Sequence, residues 1–259
     1  MEVFASPDAW IALLTLTFLE IVLGIDNIIF ISIVTGKLPE EKRKKATRIG
    51  LFLAMFMRIA MLFGITVLIA MKAPWFSVDW GWFSGSFTGQ AMVLFLGGLF
   101  LIYKSTKEIH EKVDHKGEGE KELKTSAAKS FGNVIFQILL IDLIFSVDSI
   151  LTAVGMTNGI EGALYIMVTA VVISVGVMML FAVPVGNFVN ANPSIQILGL
   201  AFLILIGFML ITEAMHLSDA QLAGQHVGAV PKGYLYFAIA FSLAVEFLNM
   251  KMRKKNNPA

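Results

Sequence analysis

The sequence predicts an all-α polytopic membrane protein, seven transmembrane helices built as a 3+3 inverted repeat with one C-terminal helix added. Three observations predict it. Hydrophobic residues make up 57% of the chain and charged residues 15%, against roughly 25% charged in a soluble domain, and mean hydropathy is +0.78. Lys and Arg alternate between loops, as the positive-inside rule requires of a multi-pass protein. An acidic pattern inside an apolar run occurs twice, at 20–29 (EIVLGIDNII) and at 142–151 (DLIFSVDSIL).

In chain order, apolar runs long enough to span lie at about 10–34, 49–71, 89–104, 131–154, 162–184, 195–211 and 233–250. Residues 1–10 carry no Lys or Arg, so the first run is expected to stay as a span and not be cleaved as a signal. The first loop holds Lys37, Lys42, Arg43, Lys44, Lys45 and Arg48, the third (104–130) holds seven lysines, and Lys251, Arg253, Lys254 and Lys255 form the tail. Loops two, four and six hold only Lys72 and Lys232, so seventeen of the twenty basic residues sort to one side. This places the N-terminus outside and the C-terminus inside, on the cytoplasmic side. Loop five, 185–194, has no basic residue and follows from the alternation alone. Loop two is rich in aromatics (Trp75, Phe76, Trp80, Trp82, Phe83), which suits an interfacial belt better than a ligand box. The mixed charges of loop three read as a solvated cytosolic linker between a first repeat at about 10–110 and a second at about 131–216. The whole chain is then a single transmembrane domain, with no cysteine for disulfides or thiolate sites and no feature that suggests nucleic acid.

Three spans per half make the halves opposite in orientation, so Asp26 and Asp148 enter the bilayer from opposite sides and can meet near the midplane, the plan of many secondary transporters. Glu20, Gly24 and Asn27 fall on one helical face, as do Asp142, Ser146 and Ser149. Gly24 and Ser146 are small enough to admit a partner helix or to let the helix loosen. A charged side chain near a helix centre costs about 2.5 to 3.5 kcal/mol, so four acids in a duplicated register point to a site, whereas a single acid would as readily be bundle glue. The spans hold no His or Cys, since His110, His115, His216 and His226 all fall in loops. Oxygen donors alone suit Mg²⁺, Ca²⁺ or Mn²⁺. Methionines such as Met55, Met57 and Met61 read as packing in preference to a soft-metal path. Arg58, inside the second span, reads as a counter-charge to the acids, and Glu108, Glu246 and Asn249, near span ends, as candidate gates.

At 19–30 (LEIVLGIDNIIF), 96–111 (LGGLFLIYKSTKEIHE) and 140–155 (LIDLIFSVDSILTAVG), the chain resembles the TerC (tellurite-resistance C) family of bacterial membrane proteins over nearly its whole length. It looks like the short form, without a counterpart of the CBS domains of longer relatives. The resemblance implies a place near the LysE-type exporter superfamily and, from characterised relatives, export of Mn²⁺ as a transported ligand with no permanent cofactor. It points to Asp26, Asn27, Asp148 and Ser149 as the metal site, with Glu20 and Asp142 flanking.

Two other readings stand beside a non-enzymatic exporter. One is an intramembrane aspartyl hydrolase using Asp142 with Asp148, or Asp26 with Asp148, as a proton-sharing dyad. The other is a non-transporting partner for metalation of secreted proteins. Beyond lipid and the ion, the partners expected are a second copy of the chain or the secretion machinery.

Overall fold

The computed structural model describes residues 6–64, 71–114 and 131–256. Among these, seven helices are long and apolar enough to cross a membrane. They are α1 (Pro7–Thr35), α2 (Glu40–Phe63), α3 (Gly89–Asp114), α4 (Phe131–Met156), α5 (Ala163–Ala191), α6 (Pro193–Leu217) and α7 (Lys232–Asn256). The all-α expectation therefore holds for the spans.

Local chemistry sets their ends. Ser6 caps α1, its hydroxyl accepting from the Ala9 N–H at 3.2 Å, and Pro7 fills the first turn, where a missing N–H costs nothing. Near the other end, the Ser32 and Thr35 hydroxyls donate to the Ile28 and Ile31 carbonyls, burying polar side chains at no unpaired cost. α2 opens on Glu40 and Glu41, which complement its positive end.

Three boundaries differ from the sequence reading. α3 runs ten residues past 104, because Lys104 and Glu108 pair one turn apart at 3.1 Å and support helix beyond the apolar stretch. α5 continues through Pro184 to Ala191, and α6 starts at Pro193, so loop five shrinks to Asn192. Proline is tolerated inside a spanning helix, where neighbouring helices and local adjustments satisfy the freed carbonyl, and it is no terminator there. Finally, loops two and six are not irregular. β1 (Pro74–Asp79) and β2 (Phe83–Thr88) form a hairpin, and β3 (Gln221–Leu222) and β4 (Gln225–His226) extend it into one antiparallel sheet in the order β1-β2-β3-β4. Gly81 takes φ +78° in the first turn, a conformation closed to most side chains. Trp75 on β1 and Trp80 and Trp82 in the turn that follows it are exposed, so the aromatics expected as a belt lie on a β-hairpin.

The sheet joins loops two and six on one face of the bundle. The opposite face is joined by Lys37, after α1, which pairs with Glu108 and with Glu111 at 3.7 Å on α3, and by Lys112 of α3, which donates to Gln196 of α6. The end of α1, the end of α3 and the start of α6 thus share a face, as the alternation of spans requires.

The broadest helix packing is α3 on α6 and α1 on α5, followed by α2 on α4 and on α5. α3 and α6 cross almost backbone to backbone: a Cβ on Gly98 would stand 2.5 Å from the Gly207 carbonyl oxygen, and one on Gly207 would stand 2.8 Å from that of Gly98. Small residues at such crossings allow close van der Waals contact where no hydrophobic effect drives association. α7 stands apart, with only 11% of its apolar window buried, against 39% or more for every other span.

Candidate functional site

The two acidic faces predicted on α1 and α4 are both turned inward. Glu20 and Asn27 are each 6% exposed, Asp142 8%, Ser149 6% and Ser146 0%. Gly24 faces Met178 of α5 so closely that a Cβ would collide with the thioether sulfur. Of the two uses foreseen for this glycine, close approach is the one realised, since α1 stays helical through it.

Arg58 of α2 lies between the two acids. One guanidinium nitrogen donates to Glu20 and the other to Asp142 Oδ1 at 2.7 Å, and the Arg58 side chain is 4% exposed. A guanidinium suits this place because it stays charged in any surroundings and presents its donors as a rigid fork. Asp142 is further held by Ser146 Oγ, donating to Oδ2 at 3.2 Å, and by Asn27 Nδ2, donating to Oδ1 at 3.4 Å. Three helices from both halves of the chain are tied at this point. Glu20 and Asp142, expected only to flank the site, form its most buried charged network.

Asp148 is arranged differently. Its Oδ2 accepts from Lys232 Nζ at 2.5 Å, with side-chain exposures of 20% and 38%. Asp148 and Ser149 border a cavity of about 60 Å³ that is also lined by Asn27, Arg58, Glu213, Lys232 and Tyr236, with Phe145, Met209 and Leu210 as apolar wall. That volume admits a few water-sized groups. The Asn27 amide, having donated to Asp142, keeps its carbonyl oxygen Oδ1 buried without a hydrogen-bond donor. An orphaned buried acceptor carries a desolvation penalty of about 1–3 kcal/mol and calls for an explanation. Ser149 Oγ donates back to the Ser146 carbonyl at 3.4 Å, which leaves its lone pairs for another group. The side chain of Asp26 lies outside the described residues.

Comparison with known proteins follows the same motif. Residues 5–258 match the family described as integral membrane protein TerC. The chain belongs to the TerC family. It is 49% identical over 251 residues to the UPF0053 inner membrane protein YgdQ of Escherichia coli K12, covering 97% of this chain and 96% of that one. A UPF0053 protein of Haemophilus influenzae is 44% identical over 253 residues, with 98% of each chain covered. The UPF0053 inner membrane protein YoaE of E. coli K12 is 40% identical over 254 residues, which are 98% of this chain but 45% of YoaE. No solved structure matches. The TerC relatives named as inner membrane proteins agree with the seven spans and with a home in a bacterial inner membrane.

For this TerC protein the remaining candidates divide. Glu108 is 3% exposed and is held by Lys37 and Lys104 on the face opposite the sheet, well away from the Arg58 network. Glu246 and Asn249 sit on α7, where Asn249 Nδ2 donates to Glu246 at 3.4 Å, and neither lines the cavity. Among the described residues no three His, Cys, Asp or Glu side chains gather at metal-ligating spacing, so the oxygen donors at the cavity are of mixed kind: carboxylate, amide and hydroxyl. Lys232 is the site residue that sequence reasoning missed, counted there only as an outer-loop charge. Its signal was present: it is the single basic residue of loop six and directly precedes the last apolar run.

Proposed function

We propose that this protein exports a divalent cation from the cytoplasm, with Mn²⁺ the expected ion, through the cavity bounded by Asn27, Asp148 and Ser149. The observation that carries the reading is one cavity lined by Asn27, Asp148 and Ser149, together with a buried Asn27 Oδ1 that lacks a hydrogen-bond donor. A hard cation accepts lone pairs from all three, and it resolves an acceptor that would otherwise be costly. The buried network supports the same charge. Glu20 and Asp142 carry two negative charges against the single positive charge of Arg58, so the buried network behind the Arg58 wall of the cavity is net negative, while Arg58 and Lys232 balance Asp148 and Glu213 at the cavity itself.

The packing supports an inverted repeat as the moving parts. Exchanging α1 with α4, α2 with α5 and α3 with α6 carries the α1–α5 contact onto α4–α2 and returns the α3–α6 crossing to itself, with Gly98 and Gly207 in reciprocal contact. Helices related in this way can rock about a fixed central site. The cluster of Lys37, Lys104 and Glu108 closes one end of such a path, and Glu213 with Lys232 borders the other.

The hydrolase reading is less well supported. A proton-sharing dyad needs carboxyls in contact with each other, whereas Asp142 is engaged by Arg58 and Asp148 by Lys232. The test of export is Mn²⁺ uptake into inside-out vesicles. The parent protein should accumulate the ion, and Asp148→Asn and Asn27→Ala should each lose most of that flux. Undiminished flux in both variants would remove the cavity from the path.

A further inference from the structure

We propose that Lys232 is a tethered stand-in for the cargo: its ammonium occupies the cation's place on Asp148, is displaced when the divalent ion binds, and returns as the ion leaves. The proposal rests on the export reading above and adds a residue and a release step to it.

Geometry is the first support. Lys232 Nζ sits 2.5 Å from Asp148 Oδ2, at the cavity that also exposes Asn27 and Ser149. A second cavity, of about 40 Å³, is lined by Lys232 together with Glu20, Ser149 and Thr152. The ammonium therefore has space on two sides, and Glu213 borders the larger cavity as an alternative acceptor. Lys232 is also the first residue of α7, the least buried span, which follows Pro231 and packs chiefly on α6. Small motions of that helix end can carry the side chain without disturbing the other six spans.

Charge is the second. Glu20, Asp142, Asp148 and Glu213 outnumber Arg58 by three negative charges, so the site attracts a cation, and Lys232 offsets one of those charges while it is in place. A lysine suits an exchangeable partner, since its ammonium is a compact, strongly hydrated point charge on a flexible stem with no planar fork to lock it. The pair is partly exposed as well, which keeps it weak and quick to exchange. A resident competitor lowers apparent affinity by the fraction of time it leaves the carboxylate free. It thus prevents the ion from becoming trapped in a site with several oxygen donors.

The test uses the full-length protein in lipid nanodiscs, with MnCl₂ as the probe and calorimetry as the readout. Lys232→Gln should bind Mn²⁺ about tenfold more tightly than the parent, as expected if the ammonium holds Asp148 roughly nine-tenths of the time. The same variant should export more slowly in vesicles, and Lys232→Arg, whose fork holds the carboxylate longer, should bind Mn²⁺ no more tightly than the parent. A second measurement needs no variant: acylation of Lys232 by an amine-reactive ester, read by mass spectrometry, should rise several-fold when Mn²⁺ is added. An unchanged affinity in Lys232→Gln, or a Lys232 that labels no faster with Mn²⁺ bound, overturns the proposal while leaving export standing. A parent protein that binds no Mn²⁺ or other divalent cation overturns both.

Discussion

Arg58 and Lys232 each pair with a carboxylate of the duplicated motif, yet the two pairings differ in every physical respect that matters for function. Arg58 is 4% exposed, bridges Glu20 of α1 and Asp142 of α4, and is backed by Asn27 and Ser146. Lys232 is 38% exposed, pairs with Asp148 at a cavity wall that Glu213 shares, and comes from the least buried span. The first arrangement is the lasting one, because its groups are almost wholly buried and removal of one partner strands charges in an apolar bundle. The second is open to exchange. On the proposed reading, close acids serve two purposes in this protein: one pair fixes the helices, and the other carboxylate is left to meet an ion.

Removing the fixed charge is the harshest way to break that contrast. Arg58→Gln leaves Glu20 and Asp142 buried without a counter-ion and should destabilise the fold by about 3–5 kcal/mol, as seen when one partner of a buried pair is lost. Thermal unfolding in detergent, followed by circular dichroism, would report it. The triple change Arg58→Gln, Glu20→Gln, Asp142→Asn removes all three charges together and should recover most of the loss. Should Arg58→Gln melt with the parent, the acids are not held as ions and the network is not the bundle's clasp.

Asp148→Asn sharpens the comparison from the other side. It should abolish Mn²⁺ uptake in vesicles while costing under about 1 kcal/mol of stability, since the lost pair is partly exposed. A variant that unfolds as readily as Arg58→Gln would make Asp148 a second structural acid.

Much of this was legible beforehand. The inward faces of α1 and α4 follow from residues seven apart, and Arg58 as a counter-charge follows from the cost of a lone guanidinium in a span. That the ends of α1 and α3 share a face follows from where the lysines fall, and the start of α6 joins them by the alternation of spans. What sequence reasoning missed was tertiary. The Asp148 partner comes from a residue 84 positions away, and no local rule distinguishes a topological lysine from one that folds back onto an acid. The four-stranded sheet was missed because the Trp and Phe residues of loop two satisfy an interfacial belt and a strand pattern equally. The two-residue strands β3 and β4 are too short to leave any period at all.

Lys37 belongs to an intermediate case, and its replacement should have an intermediate effect. Glu108 is held by two lysines, so Lys37→Met leaves it paired with Lys104 at 3.1 Å and should cost about 1 kcal/mol. The helix end at 104–114 would open more often, and its backbone amides should exchange hydrogen faster by mass spectrometry than the amides of α4. If exchange there is unaltered, the cluster does not fasten that end of the bundle.

The smallest effect is expected where acidity alone invites a functional reading. Glu246 and Asn249 were candidate gates because they sit near the end of a span, and one Glu246 oxygen is buried with no hydrogen-bond partner. Their only mutual tie is a 3.4 Å hydrogen bond on the helix with the least burial, and neither reaches the cavity or the Arg58 network. Glu246→Gln keeps the shape and removes a charge that no described cation pairs, so stability should hold or rise slightly, and Asn249→Ala should be close to silent. Mn²⁺ flux in both should stay within about twofold of the parent, a change of at most about 0.4 kcal/mol in barrier height. A fivefold fall in either would bring the C-terminal half of α7 into the ion's path. The fixed and exchangeable carboxylates would then no longer account for the charged residues of the spans by themselves.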